Sequence, residues 1–347
     1  MFASGLGQYS GLNAKVAAMR GHLLRAADYE NLAQTRNVED FGRRLIEYPS
    51  YERALTGTVD KVLHRGFIEQ KLVLAMADDF ARIYNFVGDH RLRAYLNAFY
   101  LRHEIEILKL LLCAVYDERP ADYTLPELAV LLGKSLKIDV QGLVSAKTVD
   151  AFVAQLQGTE FYNVLARHIG NEAPSLFTLE MSLDLYYFMH RRALQEKHLD
   201  RANKKVMAFL NGTEIDLQNI LWAYRLKTNY NVSEARIYTC LIPLRYRLPK
   251  AALMRIVEAS TPGILRNEIL SSPYGVFFEG DVSIDEGCHK AMNNAFRKAK
   301  RTFPNTLATA TAYLNDKENE IRNVVSLMES IRYGLQKDEA LAFLTLP

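Results

Sequence analysis

Cysteine is scarce in this chain: Cys113, Cys240 and Cys288 are the only three in 347 residues. No C-x-x-C pair occurs and the count is odd, which argues against a zinc knuckle or a disulfide framework and fits a reducing compartment. Proline is also sparse. Its ten copies fall at apparent junctions such as Pro49, Pro120, Pro243, Pro249, Pro273 and Pro304. Runs of alternating β-branched residues with hairpin turns are missing, so sheet architectures are not expected. Charge of one sign is missing as well. With 43 basic and 40 acidic residues the formal charge is +3, too balanced for a nucleic-acid binder. The longest apolar stretches, such as Leu110–Tyr116, fall far below the roughly 18–20 residues of a membrane span, so no direct span is expected. The opening MFASGLGQYSGLNAK has no charged region before a short apolar run, and no signal peptide is predicted.

Recognisable chemistry is missing too. Gly133-Lys134-Ser135 invites a phosphate-loop reading, but the glycine required five residues earlier is Leu128. Gly5-Leu6-Gly7 lacks a third glycine and follows no strand. Asp78-Asp79 resembles half of the Mg²⁺ site of an all-α prenyl-chain enzyme, but the third acid is replaced by Arg82, and a solvated helix face is the simpler reading. The eight histidines form no H-E-x-x-H, and adjacent Cys288 and His289 diverge on a helix. No catalytic, cofactor-binding or metal-ligating residue is predicted.

What the chain does have is helical periodicity. Apolar residues recur at three- and four-residue spacing through 59–85, 89–116, 174–210 and 305–333, which predicts an all-α fold. Within these segments one tetrapeptide nearly repeats: Ala94-Tyr95-Leu96-Asn97, Ala208-Phe209-Leu210-Asn211 and Ala312-Tyr313-Leu314-Asn315, at separations of 114 and 104. A second anchor follows in near register at Glu106-Ile107, Asn219-Ile220 and Asn323-Val324. A third precedes each copy, with Leu45, Leu156 and Ile269 five or six residues before Tyr51, Tyr162 and Tyr274. A period near 110 is domain-sized, well beyond the roughly 20–50 residues of solenoid repeats. The expectation is three similar helical domains, 1–135, 136–247 and 248–347, in a pseudo-threefold, funnel-like arrangement.

Local signals suggest that the tetrapeptide marks a helix end or bend in the second and third copies. Asn211-Gly212 would close one helix, Thr213 would cap the next with Asp216 completing a capping box, and Asp316 would cap the third copy. The first copy lacks the glycine and should run through. Glu104, Glu106, Asp216, Asn219, Glu320 and Asn323 are the candidate contact residues, lining a cavity or bonding between domains.

In their order and spacing these residues resemble the C subunit of bacterial and archaeal A/V-type rotary ATPases, whose eukaryotic V-ATPase counterpart is the d subunit. The resemblance lies in Tyr9, Asn13–Met19, Leu23-Leu24 and Tyr29 at the start, and in Glu214–Ile220 with Arg225-Leu226-Lys227. It continues in Ile242-Pro243 before Leu248 and in Lys317–Val324. The chain departs in having Glu106 where the other copies have asparagine, and Arg245-Tyr246-Arg247 where a glycine-containing turn is expected. The resemblance implies a non-catalytic, cofactor-free rotor connector on the cytoplasmic face of the membrane. Its implied partners are the central-stalk subunits D and F and the membrane proteolipid ring, between which it would carry torque for ion transport. The same absence of chemistry also suits an all-α adaptor with an unrelated partner.

Overall fold

The computed structural model describes residues 3–56, 63–118, 140–170 and 175–344. Among them no strand occurs, and the fold is all-α. The expected boundary near 135 and the Gly133-Lys134-Ser135 sequence lie outside the described residues.

The chain divides into two compact units, residues 1–89 with 304–347, and residues 90–303. In the first unit, α1 (Ala3–Arg20) and the short helices α2 (Ala26–Leu32), α3 (Val38–Ile46) and α4 (Glu52–Leu55) lead into α5 (Arg65–Phe86). The unit is completed by α16 (Ala308–Arg332) and α17 (Lys337–Ala342). Helix α16 packs along α5 and against α1 and α3. The core there joins Tyr29, Phe41, Leu45, Tyr51, Ile68 and Leu72 to Val324, Leu327 and Met328.

The second unit begins with α6 (His90–Tyr116), then α7 (Val140–Ser145), α8 (Val149–Gln155), α9 (Glu160–Leu165) and α10 (Leu176–His198). It continues through α11 (Arg201–Thr228), α12 (Glu234–Cys240), α13 (Lys250–Glu258), α14 (Pro262–Leu270) and α15 (Ile284–Thr302). Helix α6 packs along α10 and against α8, while α11 packs along α15 and against α13 and α14. Side-chain caps start many of these helices. Asp200 accepts from the Asn203 N–H, Thr261 from Ile264 with Pro262 in the first turn, and Ser283 from Glu286.

A common order underlies both units. Each long helix carrying a repeated motif (α6, α11, α16) packs along the long helix of the next sequence copy: α10, α15 and, for the last, α5. It also holds that copy's short helices. The links that join α5 to α6 and α10 to α11 are short, Val87–Asp89 and Leu199-Asp200.

The structure corrects the local reading of the motif. Helix α11 runs unbroken from Arg201 to Thr228, so Asn211-Gly212 closes nothing, and the periodic segment 174–210 breaks instead at Leu199. Thr213 bonds back to the Phe209 carbonyl at 2.7 Å within the helix. Asp316 likewise lies inside α16 and pairs with Arg20.

Gly212 has a tertiary cause. A Cβ there would stand 2.6 Å from Cβ and Cγ of Tyr246, atoms near the backbone that cannot swing aside. Alanine in mid-helix gains about 1 kcal/mol over glycine, whereas forcing an extra carbon into a packed contact costs about 1–3 kcal/mol. Gly212→Ala is therefore expected to lower stability in urea unfolding, whereas in a Tyr246→Gly background, which lacks both close atoms, the same change should become a gain.

Candidate functional site

Five of the six motif residues lie inside the protein. Glu104, Asp216, Asn219, Glu320 and Asn323 are at most 5% exposed. The Glu106 side chain is 53% exposed and pairs with Arg102 and His103 at 3.4 and 3.3 Å.

On α11, Asp216 and Asn219 stand one turn apart and face the returning segment 242–248. The Asp216 carboxylate accepts the N–H groups of Tyr246, Arg247 and Leu248 at 2.9, 2.6 and 2.9 Å, and the Tyr274 hydroxyl at 2.8 Å. Asn219 accepts the Ile242 N–H at 2.8 Å and donates to the Ile242 carbonyl at 3.1 Å. A chain that turns through 242–248 has no helical partner for these groups, and two side chains supply them.

The first unit repeats the arrangement on α16. Glu320 accepts the Tyr51 hydroxyl at 2.8 Å, the Lys317 ammonium at 2.6 Å and the Leu24 N–H. Lys317 is wholly buried and lies 3.9 Å from the centre of the Tyr51 ring, so charge, hydrogen bond and ring face together offset its desolvation. Asn323 hydrogen-bonds Tyr29, whose phenol burial pushes far above its ordinary range. The tyrosine anchors of the first and third copies thus meet the motif carboxylates of the third and second.

The first motif helix is built differently. Tyr162 is half-buried, and its hydroxyl has no hydrogen bond among the described residues. Instead α6 presents Glu104, whose carboxyl burial, with help from the nearby Glu160 charge, pushes up to about 8. Glu160 also faces Tyr186, whose hydroxyl lies 2.9 Å from Nδ1 of His190.

Sequence reasoning missed a second cluster in this unit, where α6, α10 and α11 meet. The Arg191 guanidinium donates to Glu214 and to the Tyr187 hydroxyl, each at 2.7 Å, and Arg102 approaches Glu214 at 3.7 Å. Asn211, a residue of the repeated tetrapeptide, donates to Tyr95, another, at 2.9 Å and to Gln195 at 2.8 Å. Burial would raise the Glu214 carboxyl, but the two arginines outweigh it and hold the group below its usual range. Arg191 carries no periodic signal, so only Tyr95, Asn211 and Glu214 pointed here.

The Asp78-Asp79 pair has protein partners. Asp78 pairs with Arg82 at 3.0 Å and Arg53 at 3.4 Å, and Asp79 accepts the Tyr313 hydroxyl. Cys288 is buried against the Leu217 carbonyl, and burial pushes its thiol up to about 12, far from a reactive thiolate. Among the described residues no cluster of histidine, cysteine and acids is arranged to hold a metal, and no helix is long and apolar enough to cross a membrane.

Burial makes the motif residues sensitive to substitution through folding. Asp216→Ala strands several buried donors at about 1–3 kcal/mol each, whereas Tyr274→Phe removes one hydroxyl contact worth about 1 kcal/mol. Urea unfolding should therefore show Asp216→Ala costing at least three times as much as Tyr274→Phe.

Glu104 gives a pH test. Unfolded, its carboxyl ionises near 4.5; folded, it keeps its proton to about 8. The unfolded state binds fewer protons in that window, so Glu104 lowers stability as pH rises from 4.5 to 8. Glu104→Gln should melt close to the parent at pH 4.5 and clearly above it at pH 8.

Comparison with known proteins places this arrangement. A family profile described as "ATP synthase (C/AC39) subunit" matches residues 12–343. The chain is similar to the C subunit of the A-type ATP synthase of Pyrococcus abyssi, at 24% identity over 95% of this chain and 88% of the relative. It is similar to the protein of the same name from Methanosphaera stadtmanae, at 26% identity over 93% and 84%. The corresponding figures for Pyrococcus furiosus are 23%, 93% and 86%. A family match that runs through all three motif helices is the same conclusion that their order in the sequence suggested: the chain belongs to the ATP synthase (C/AC39) subunit family.

Proposed function

We propose that this chain is a non-catalytic subunit of an A/V-type rotary ATPase, and that it is the connector of the rotor. In this reading it sits peripherally on the cytoplasmic face of the membrane. It receives the central-stalk subunits D and F on one side, meets the proteolipid ring on the other, and passes torque between them.

The observation that carries the reading is the way each motif helix holds the module of the next copy, with α16, the last, packed on the first copy's α3 and α5. A chain that hands its modules on and returns to its start suits a closed, pseudo-threefold funnel around an axle. A torque-bearing part must also be stiff. Close-packed long helices whose returning segments are tied by buried carboxylates meet that need.

Of the six motif residues we assign Glu106 to a contact surface, because its side chain alone is exposed. Asp216, Asn219, Glu320 and Asn323 bond within their own units, and Glu104 is buried. Charge reversal at Asp216 or Glu320 would therefore test folding rather than shaft binding.

Tagged chain, recovered from membranes in mild detergent and analysed by mass spectrometry, should bring with it the nucleotide-binding, shaft and proteolipid subunits together. Glu106→Lys, an exposed change of the kind that moves stability by no more than about 0.5 kcal/mol, should reduce that recovery without changing the melting temperature. Recovery of the chain alone, free of ATPase subunits, would replace this reading with that of an adaptor for another partner.

A further inference from the structure

Beside the Arg191 cluster, α10, α11 and the segment that follows Ile242 enclose a cavity of about 130 Å³. A water molecule takes about 30 Å³ in the liquid, so the space admits a group of several heavy atoms. Its walls carry Arg191, Arg192, Gln195 and Arg245, with Phe188 and Tyr246 supplying ring surface, and no carboxylate lines it.

One of the lining groups is a buried donor without an acceptor, and a second has amide hydrogens to spare. Arg191 is 5% exposed; its Nη1 serves Tyr187 and Glu214, while Nη2 is buried with no hydrogen bond. Gln195 is 1% exposed, and its side chain bonds only through Oε1, which accepts from Asn211, so its amide hydrogens are unused. Buried donors are nearly always paired, and a place where a guanidinium nitrogen is not calls for an acceptor. At the rim Arg245 is exposed with no ion-pair partner among the described residues, and Arg192 pairs only with its helix neighbour Glu196 at 2.9 Å.

We propose that this cavity binds a small oxyanion, a phosphate or a carboxylate group, through the Arg191 guanidinium and the Gln195 amide, with Arg192 and Arg245 drawing it in. Guanidinium groups and amide N–H donors are the pairing that oxyanions favour. The site lies wholly within the second unit and does not depend on the rotor reading.

The test is isothermal titration of the full chain with inorganic phosphate, and separately with acetate, at constant ionic strength set by chloride. Saturable binding of at least one is expected, and the tighter of the two distinguishes a tetrahedral from a planar anion. Ala208→Leu fills the cavity from the half-exposed start of its wall on α11 and leaves every charge in place. It should weaken binding at least tenfold with an unchanged circular dichroism spectrum and melting temperature. The rim pair Arg192→Gln with Arg245→Gln should weaken it similarly. Absence of saturable binding for both anions, or binding that survives Ala208→Leu, overturns the proposal.

Discussion

A carboxylate buried on a long helix, facing backbone N–H groups that no helix can satisfy, is the interaction on which this architecture depends. Asp216 takes three consecutive N–H groups, from Tyr246 to Leu248, and a tyrosine hydroxyl. The chain at that point has left α12 and must turn to lay α13 against α11. Its amides are being removed from water just where helical hydrogen bonding is unavailable, and four donors converging on one carboxylate offset both costs. Glu320 does the same with Leu24, Tyr51 and Lys317, where the chain turns into α2. The direction of each short-helix module is set at these points, and the apolar packing of the module on its long helix follows.

That dependence explains the order of packing in the two units. A short link such as Leu199-Asp200 delivers the chain from α10 into α11, yet α11 packs chiefly along α15. The apolar stripe of α11 is covered by the module that follows it in the chain, and that of α16 by the first module. For α11 this brings Tyr274 and α15; for α16 it brings Tyr51 and α5. Neither motif helix completes its core with the copy that carries it, so the copies hold one another in place. The first motif helix shows how far the device can drift. There a buried Glu104 faces the charge of the exposed Glu160, and its raised carboxyl makes that joint sensitive to proton concentration.

The fold class was legible because helical periodicity is a local property, and so was the three-copy pattern. The repeated tetrapeptide was misread as a helix end because asparagine and glycine in sequence carry a strong local meaning. In α11 that meaning is overridden: Asn211 is spent on Tyr95 and Gln195, and Gly212 exists to let Tyr246 approach. Asp216 as a capping-box residue was likewise a local answer. Its actual partners lie 30 to 58 residues away along the chain.

By itself the sequence determined which segments are helical, that one pattern is written three times, and that Tyr51 and Tyr274 stand in register with the acidic motifs. These depend on side-chain chemistry at short range and on comparison of the chain with itself. Only the tertiary structure decided that each motif helix serves the next copy rather than its own, and that five of its six polar residues face inward. The same holds for Arg191, Gln195 and Arg245, which meet around one cavity. The pairing of a buried carboxylate with distant amides leaves no periodic mark in either partner, because every residue but proline contributes the same N–H and only the turn of the chain brings it within reach.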